Sequence, residues 1–181
     1  MTSLDLNEKD EEPHADLLAV SHASVDKDEN TIQVNSNAAG AGSAVSKGRL
    51  YSADYSPETG KYEIAVEYER DYDVEFVAGV QISIFTRTEY GGIEKYIVEE
   101  TLGGATSPLK HREGSQTKSK SNIEFDNPNE SYDIGLEVRT NATAWGAGSL
   151  GDAYNSKSLP PGWGPRHHVK VNDLRIRKEE F

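Results

Sequence analysis

The 181-residue chain has no cysteine, one methionine and two tryptophans. Without cysteine it forms no disulfide, no thiolate metal site and no thiol nucleophile, and a small disulfide-stapled secreted scaffold is excluded. No apolar run approaches the roughly 18–20 residues that cross a bilayer as a helix, so membrane insertion is not expected. Basic charge is scarce: 19 Lys and Arg stand against 31 Asp and Glu, for a formal charge of −12. A nucleic-acid partner, which demands a basic face, is therefore not expected. Also missing are the GxSxG, P-loop and HExxH patterns, which leaves no recognisable nucleophile, phosphate cradle or zinc helix. The chain is expected to be non-enzymatic and to need no cofactor.

Length suits one domain with an extension. The opening stretch, MTSLDLNEKDEEPHADLL, is acidic and lacks a basic region followed by an apolar one, which is not the pattern of a secretory signal. The expectation is a chain made in the cytoplasm that acts there or leaves inside an assembled particle such as a virion. Its charge is uneven. Nine carboxylates and two lysines fall in residues 1–30, so more than half of the excess sits in an acidic N-terminal arm, residues 1–29. Within it, PHADLLAV (13–20) is long enough for two helical turns with Pro13 in the first. Leu17, Leu18 and Val20 are its apolar candidates for docking on a neighbouring subunit.

From residue 30 to 181 the period is two, the signature of strands with one buried face. YEIAVEYER (62–70) sets Tyr62, Ile64, Val66 and Tyr68 against Glu63, Glu67 and Glu69. VAGVQISIF (77–85) and YDIGLEVRT (132–140) repeat the pattern, with Ile123 and Phe125 in a shorter stretch between them. IEKYIVEETL (93–102) alternates irregularly, as an edge or bulged strand does. In HHVKVNDLRIRK (167–178) the phase changes, and a bulge near Asn172–Asp173 keeps Val169, Val171, Leu174 and Ile176 on one side. Residues 37–48 read as a Gly-rich linker and 103–121 as a long polar loop. About eight short strands with turns between them, and no convincing long helix, predict an all-β antiparallel sandwich of jelly-roll type.

Metal chemistry finds little support. His167 and His168 are neighbours on a strand and diverge; His14, His22 and His111 are scattered. Residues 26–37 open like a calcium loop with Asp26, Asp28 and Asn30, but Thr31 stands where glycine is needed and Asn37 where a bidentate glutamate is. A turn accounts for them better, and turn chemistry accounts equally well for DNPNE (126–130). Glu99 and Glu100 are adjacent on a strand and so point apart. The two tryptophans, Trp145 and Trp163, lie in Gly/Pro-rich segments with Tyr154 between them. Three readings stand: plugs that close the core, stacking platforms for a sugar ring, or anchors for another protein chain.

The stretches KYEIAVEY, GVQISIF, IEFDNPNESYDIGLEVRT and HHVKVNDLRIR occur in an order that resembles galactose-binding-like jelly-roll domains, many of which are carbohydrate-binding modules. The resemblance spans residues 45–178 and is one of strand pattern; Asp173 occupies the acidic place such a closing strand carries. It implies a β-sandwich and no particular ligand-binding residue. The leading functional expectation is a structural or attachment subunit, a capsid, tail or fibre component, partnered by copies of itself or other subunits. The alternative is a carbohydrate-binding module that holds a glycan on Trp145, Tyr154 and Trp163. Deleting residues 1–29 is expected, on this reading, to abolish assembly and leave the body folded.

Overall fold

The computed structural model describes residues 1–38, 41–75, 77–89, 91–104, 109–127, 129–143, 151–153 and 168–180. Among them are twelve strands, the first only two residues long, and no helix: β1 (Thr2–Ser3), β2 (Glu8–Ala15), β3 (Ala19–Asp26), β4 (Thr31–Ala38), β5 (Ser43–Tyr55), β6 (Lys61–Glu75), β7 (Ala78–Thr88), β8 (Ile93–Leu102), β9 (Lys110–Glu124), β10 (Tyr132–Thr143), β11 (Gly151–Ala153) and β12 (His168–Lys178). They form two antiparallel sheets. One runs β2-β5-β10-β7-β8. In the other, β6 lies between β9 and β12, β4 follows beside β12 and β11, and β3 is the edge. The chain crosses repeatedly between the sheets, and their facing sides bury Ile64, Val66, Tyr68, Ile82, Ile84, Ile134, Leu136, Leu174 and Ile176 almost completely. The all-β sandwich expected from the alternation is the fold observed, built from more strands than about eight.

The phase change in the last strand has the expected cause. Register slips between Val171 and Asp173, and Val169, Val171, Leu174 and Ile176 are all buried. β8 is an edge strand with a register shift opposite Ile82 and Ser83. The polar stretch 103–121 is not one long loop, because most of it is β9. Its lysines, serines and threonines pair with β6 from Lys110↔Val74 to Glu124↔Lys61. As an edge strand, β9 is held by backbone bonds and buries little, so it needs no apolar row. The supposed linker 37–48 likewise ends in β5. Gly48 sits under β4, where a Cβ would come within 2.6 Å of the Ile32 methyl.

Residues 1–29 are not a separate arm, and 13–20 is not helical. β2 completes the five-stranded sheet, from Glu8↔Tyr51 to Ala15↔Ala44, and β3 completes the other, from Ala19↔Ala38 to Asp26↔Thr31. Ala23 and Val25 belong to the core. These strands look non-globular in sequence because edge strands contribute few buried side chains, while their carboxylates meet cations of the body. Pro13 is tolerated because an edge strand has a backbone side that needs no N–H. The β3 edge is itself covered: Glu11 accepts the Val25 N–H at 2.8 Å, and Lys9 donates to the Val25 carbonyl at 2.7 Å. The bond from Val25 N–H, together with Lys9, holds the Glu11 carboxyl below its usual range.

On the outer side of the five-stranded sheet, Gly135 lies between Tyr51 of β5 and Phe85 of β7. The two rings meet edge-on across it, with centroids 5.9 Å apart. A Cβ at this position would collide with the Leu50 carbonyl oxygen and the Tyr51 Cβ, and would approach the Tyr51 Cα to 2.8 Å. Backbone does not yield as a flexible side chain does. Gly135→Ala is therefore expected to cost about 1–3 kcal/mol or more, read as a lowered midpoint in urea unfolding. An unchanged midpoint would show that the strands separate freely here.

Candidate functional site

The register places one set of strand ends together. Ala15, Ala44, Ala142 and Ala78 lie in one row across the five-stranded sheet, and the Gly103 N–H donates to the Ala78 carbonyl at the end of that row. In the other sheet Val20, Asn37, Asp152 and Glu75 share a row, with Lys110 paired one step away to Val74. At this end β2 turns into β3 through residues 16–18.

That turn is heavily clamped. The Ala19 N–H donates to the Asp16 carbonyl at 3.2 Å, and the Leu18 N–H to Asp16 Oδ1 at 3.2 Å. Asp16 Oδ2 accepts from the Ser43 N–H at 2.8 Å and from its hydroxyl at 3.2 Å, while the Asp16 N–H returns a bond to the Ser43 carbonyl. The Ser43 N–H above all, helped by that of Leu18, keeps the Asp16 carboxyl below its usual range. Turn centres ordinarily hold glycine, proline, asparagine or aspartate. Here they hold Leu17, fully exposed, and Leu18, 56% exposed, with Val20 at 59% beside them. Asp16 signals a turn in the sequence, but only the structure shows that it fixes two leucines in water.

Of the other sequence-derived candidates, Trp145, Tyr154 and Trp163 lie outside the described residues. The described residues on either side of the Trp145 segment, Thr143 and Gly151, both belong to the end of the sandwich that carries Leu17.

A second constellation covers the outer side of the five-stranded sheet. Arg49 and Glu137, directly opposed on β5 and β10, form an ion pair at 2.6 Å and are only 3% and 1% exposed. Lys95 of β8 reaches the other Glu137 oxygen at 2.7 Å. Asp10 and Glu12 of β2 both meet the Arg49 guanidinium. Arg87 joins Asp10 and Asp133, each at 2.7 Å, and stacks 4.9 Å over the Tyr51 ring. Burial opposes charge on Arg49, but hydrogen bonds to Glu12 and Glu137 outweigh it and raise its pKa. The network fastens β2, the first long strand of the chain, to four strands of the body, β5, β7, β8 and β10.

Between the sheets, on the β8/β9 flank, Glu99 accepts from Tyr68 at 2.7 Å and Tyr72 at 2.5 Å and pairs with Arg70. Burial raises the Glu99 pKa, and bonds from Tyr72, Tyr68 and Arg70 more than reverse this. Burial and the bond to Glu99 push both tyrosines well above their ordinary range. Glu100, its neighbour, points the other way and meets Gln81 at 3.0 Å. A carboxylate held ionised by three donors anchors strands; it has no proton to give near neutrality.

Among the described residues no group of three or more His, Asp or Glu is placed to hold a metal ion. The two calcium-like stretches are capped turns. Asp26 Oδ1 accepts the N–H groups of Asp28 and Glu29, and Asn127 Oδ1 accepts that of Asn129. His111 bonds to Asp73 at 2.7 Å, which raises its pKa. At the end opposite Leu17, clefts of about 350 and 550 Å³ adjoin each other and share Arg87, Thr88, Gly91 and Glu130.

No protein-family model matches the chain, and no curated protein matches it. Among solved structures it is similar to TmCBM61 in complex with β-1,4-galactotriose, at 12% identity over 93% of this chain and 88% of that one, with a TM-score of 0.32. It is also similar to the enzymatically active domain of bacteriophage CBA120 tailspike protein 4, at 7% identity over 92% of this chain and 20% of that one, TM-score 0.35. A third is the family 11 carbohydrate-binding module from Clostridium thermocellum in complex with a β-1,3-1,4-mixed-linked tetrasaccharide, at 10% identity over 76% and 89%, TM-score 0.27. Carbohydrate-binding modules with a β-sandwich are among these neighbours, the family that the strand order resembles. At such TM-scores they carry no argument about ligand, and the fold rests on the two sheets themselves.

Proposed function

We propose that this chain is a non-enzymatic structural or attachment subunit of a multisubunit assembly, of the kind that builds a virus particle and leaves the cell within it. The observation that carries this reading is the Asp16 clamp, which spends five hydrogen bonds on presenting Leu17 and Leu18 to solvent. A turn needs no leucine, and burying each in a partner contributes about 1.5–3 kcal/mol. Pre-ordering the turn lowers the entropy lost on contact. The half-buried Glu99 and the buried Glu137 are engaged as ion-pair acceptors, which suits a scaffold rather than a reaction.

The test is solution mass by light scattering for the intact chain and for Leu17→Ser combined with Leu18→Ser. The intact chain is expected to assemble, with itself or with the other subunits of its particle. The variant is expected to lose that contact while its melting temperature moves by no more than about 2 °C, since neither leucine is buried. A variant that assembles like the parent overturns the reading. A chain that stays monomeric and is retained on a glycan array favours the second reading, a glycan held on Trp145, Tyr154 and Trp163.

A further inference from the structure

We infer that copies of this chain associate side by side and head to tail, the β2/β3 flank of one against the β8/β9 flank of the next. The inference rests on the assembly reading above and names its two surfaces. The flanks lie at opposite edges of both sheets. The β2/β3 flank and the β9 edge are complementary in charge, while β8 carries Glu94, Glu99 and Glu100 against Lys95, with Glu99 already paired to Arg70. The β2/β3 flank carries Glu8, Glu11, Glu12, Asp26, Asp28 and Glu29, all exposed, against two lysines, Lys9 and Lys27. On β9 the residues Lys110, Arg112, Lys118 and Lys120 fall in one row, opposite the core-facing residues of β6. Glu113 is in the other row. Because β9 is an edge, that row borders the flank, and Lys120 there lies 5.9 Å from the centre of the Tyr96 ring of β8.

The flanks also match in where they are apolar. Leu17, Leu18 and Val20 mark one end of the acidic flank, and exposed Leu102 and Leu109 mark the same end of the basic one. Leu102 lies level with His14 through Gly79, Asn141 and Val45. Leu109, next to Lys110, lies level with Val20 in the other sheet. Lys110 Nζ donates to the Leu102 carbonyl at 2.5 Å and holds the two leucine-bearing segments together. A copy displaced sideways without inversion meets leucine with leucine and carboxylate with lysine at once. A two-fold arrangement would oppose like charges. Contacts between unlike surfaces repeat, so they close into a ring or run on as a filament.

A heterologous contact has a test that an isologous one fails. One variant, Leu17→Ser with Leu18→Ser, has a damaged acidic flank and an intact basic one. The other, Lys118→Glu with Lys120→Glu, has the reverse. Each alone is expected to be monomeric by light scattering, with a cooperative melt showing that it is folded. Mixed in equal amounts they are expected to form one-to-one dimers and nothing larger, because each supplies the surface the other lacks. The intact chain is expected to weaken in self-association by roughly tenfold or more between about 0.01 M and 1 M salt, as the screening length falls from about 30 to 3 Å. This measurement needs no variant. Mixtures that remain monomeric, lysine variants that assemble normally, or association indifferent to salt would each overturn the inference. If the leucine variant dissociates while the lysine variant does not, the assembly reading stands and the pairing of flanks falls.

Discussion

A chain lacking residues 1–29 is expected not to fold. The deletion removes β2 and β3 and with them eight paired positions in each sheet. It also removes Ala23 and Val25 from the core and strips their cover from Ile32 and Val34. Arg49, 3% exposed, loses Asp10 and Glu12, and Arg87 loses Asp10. Each backbone bond contributes about 1 kcal/mol net. The lost bonds and burial therefore reach or exceed the 5–15 kcal/mol by which a typical domain is stable. The deleted chain is expected to be insoluble or to show no cooperative thermal transition by near-ultraviolet circular dichroism. A soluble fragment melting within a few degrees of the parent would mean that the acidic strands are an ornament after all.

The second large effect belongs to the outer charge network. Arg49→Ala leaves Glu137, 1% exposed, with Lys95 as its one remaining cation in the network. Stranding a buried charge in this way costs about 3–5 kcal/mol. For a domain of this length that is a fall in melting temperature on the order of 10 °C. The control is to remove both charges. Arg49→Met with Glu137→Leu keeps volume without stranding a buried charge, and it is expected to recover most of the loss. If the single and double variants are equally impaired, the cause is the lost guanidinium contact over the Phe85 ring rather than lost pairing.

The contrast between β6 and β9 shows how far sequence carried and why it stopped. Tyr62, Ile64, Val66 and Tyr68 alternate because their strand has a core on one side and a wet face on the other, and so the strand is readable. β9 is bonded to β6 along its whole length yet reads as a loop, since backbone pairing leaves no mark on side-chain type. β2 and β3 were hidden for the same reason, deepened by carboxylates that look solvated until Arg49, Arg87 and Lys47 are seen beside them. The bulge at Asn172 was legible because it keeps four apolar residues on one side. Leu17, Leu18 and Val20 were legible as candidates by being apolar in an acidic stretch. Their presentation depends on Ser43, which lies 27 residues away from Asp16. No local pattern announces such a partner.

The cover over Val25 decides how this protein can misassemble. Cross-β growth requires a bare backbone edge on both sides of every molecule. On the β2/β3 side Glu11 and Lys9 already occupy the Val25 N–H and carbonyl, and Pro13 breaks the donor row of β2. Strand-to-strand fusion is therefore opposed on this side. The same acidic flank that refuses a foreign strand is left free to be read by side chains, which come apart as readily as they meet.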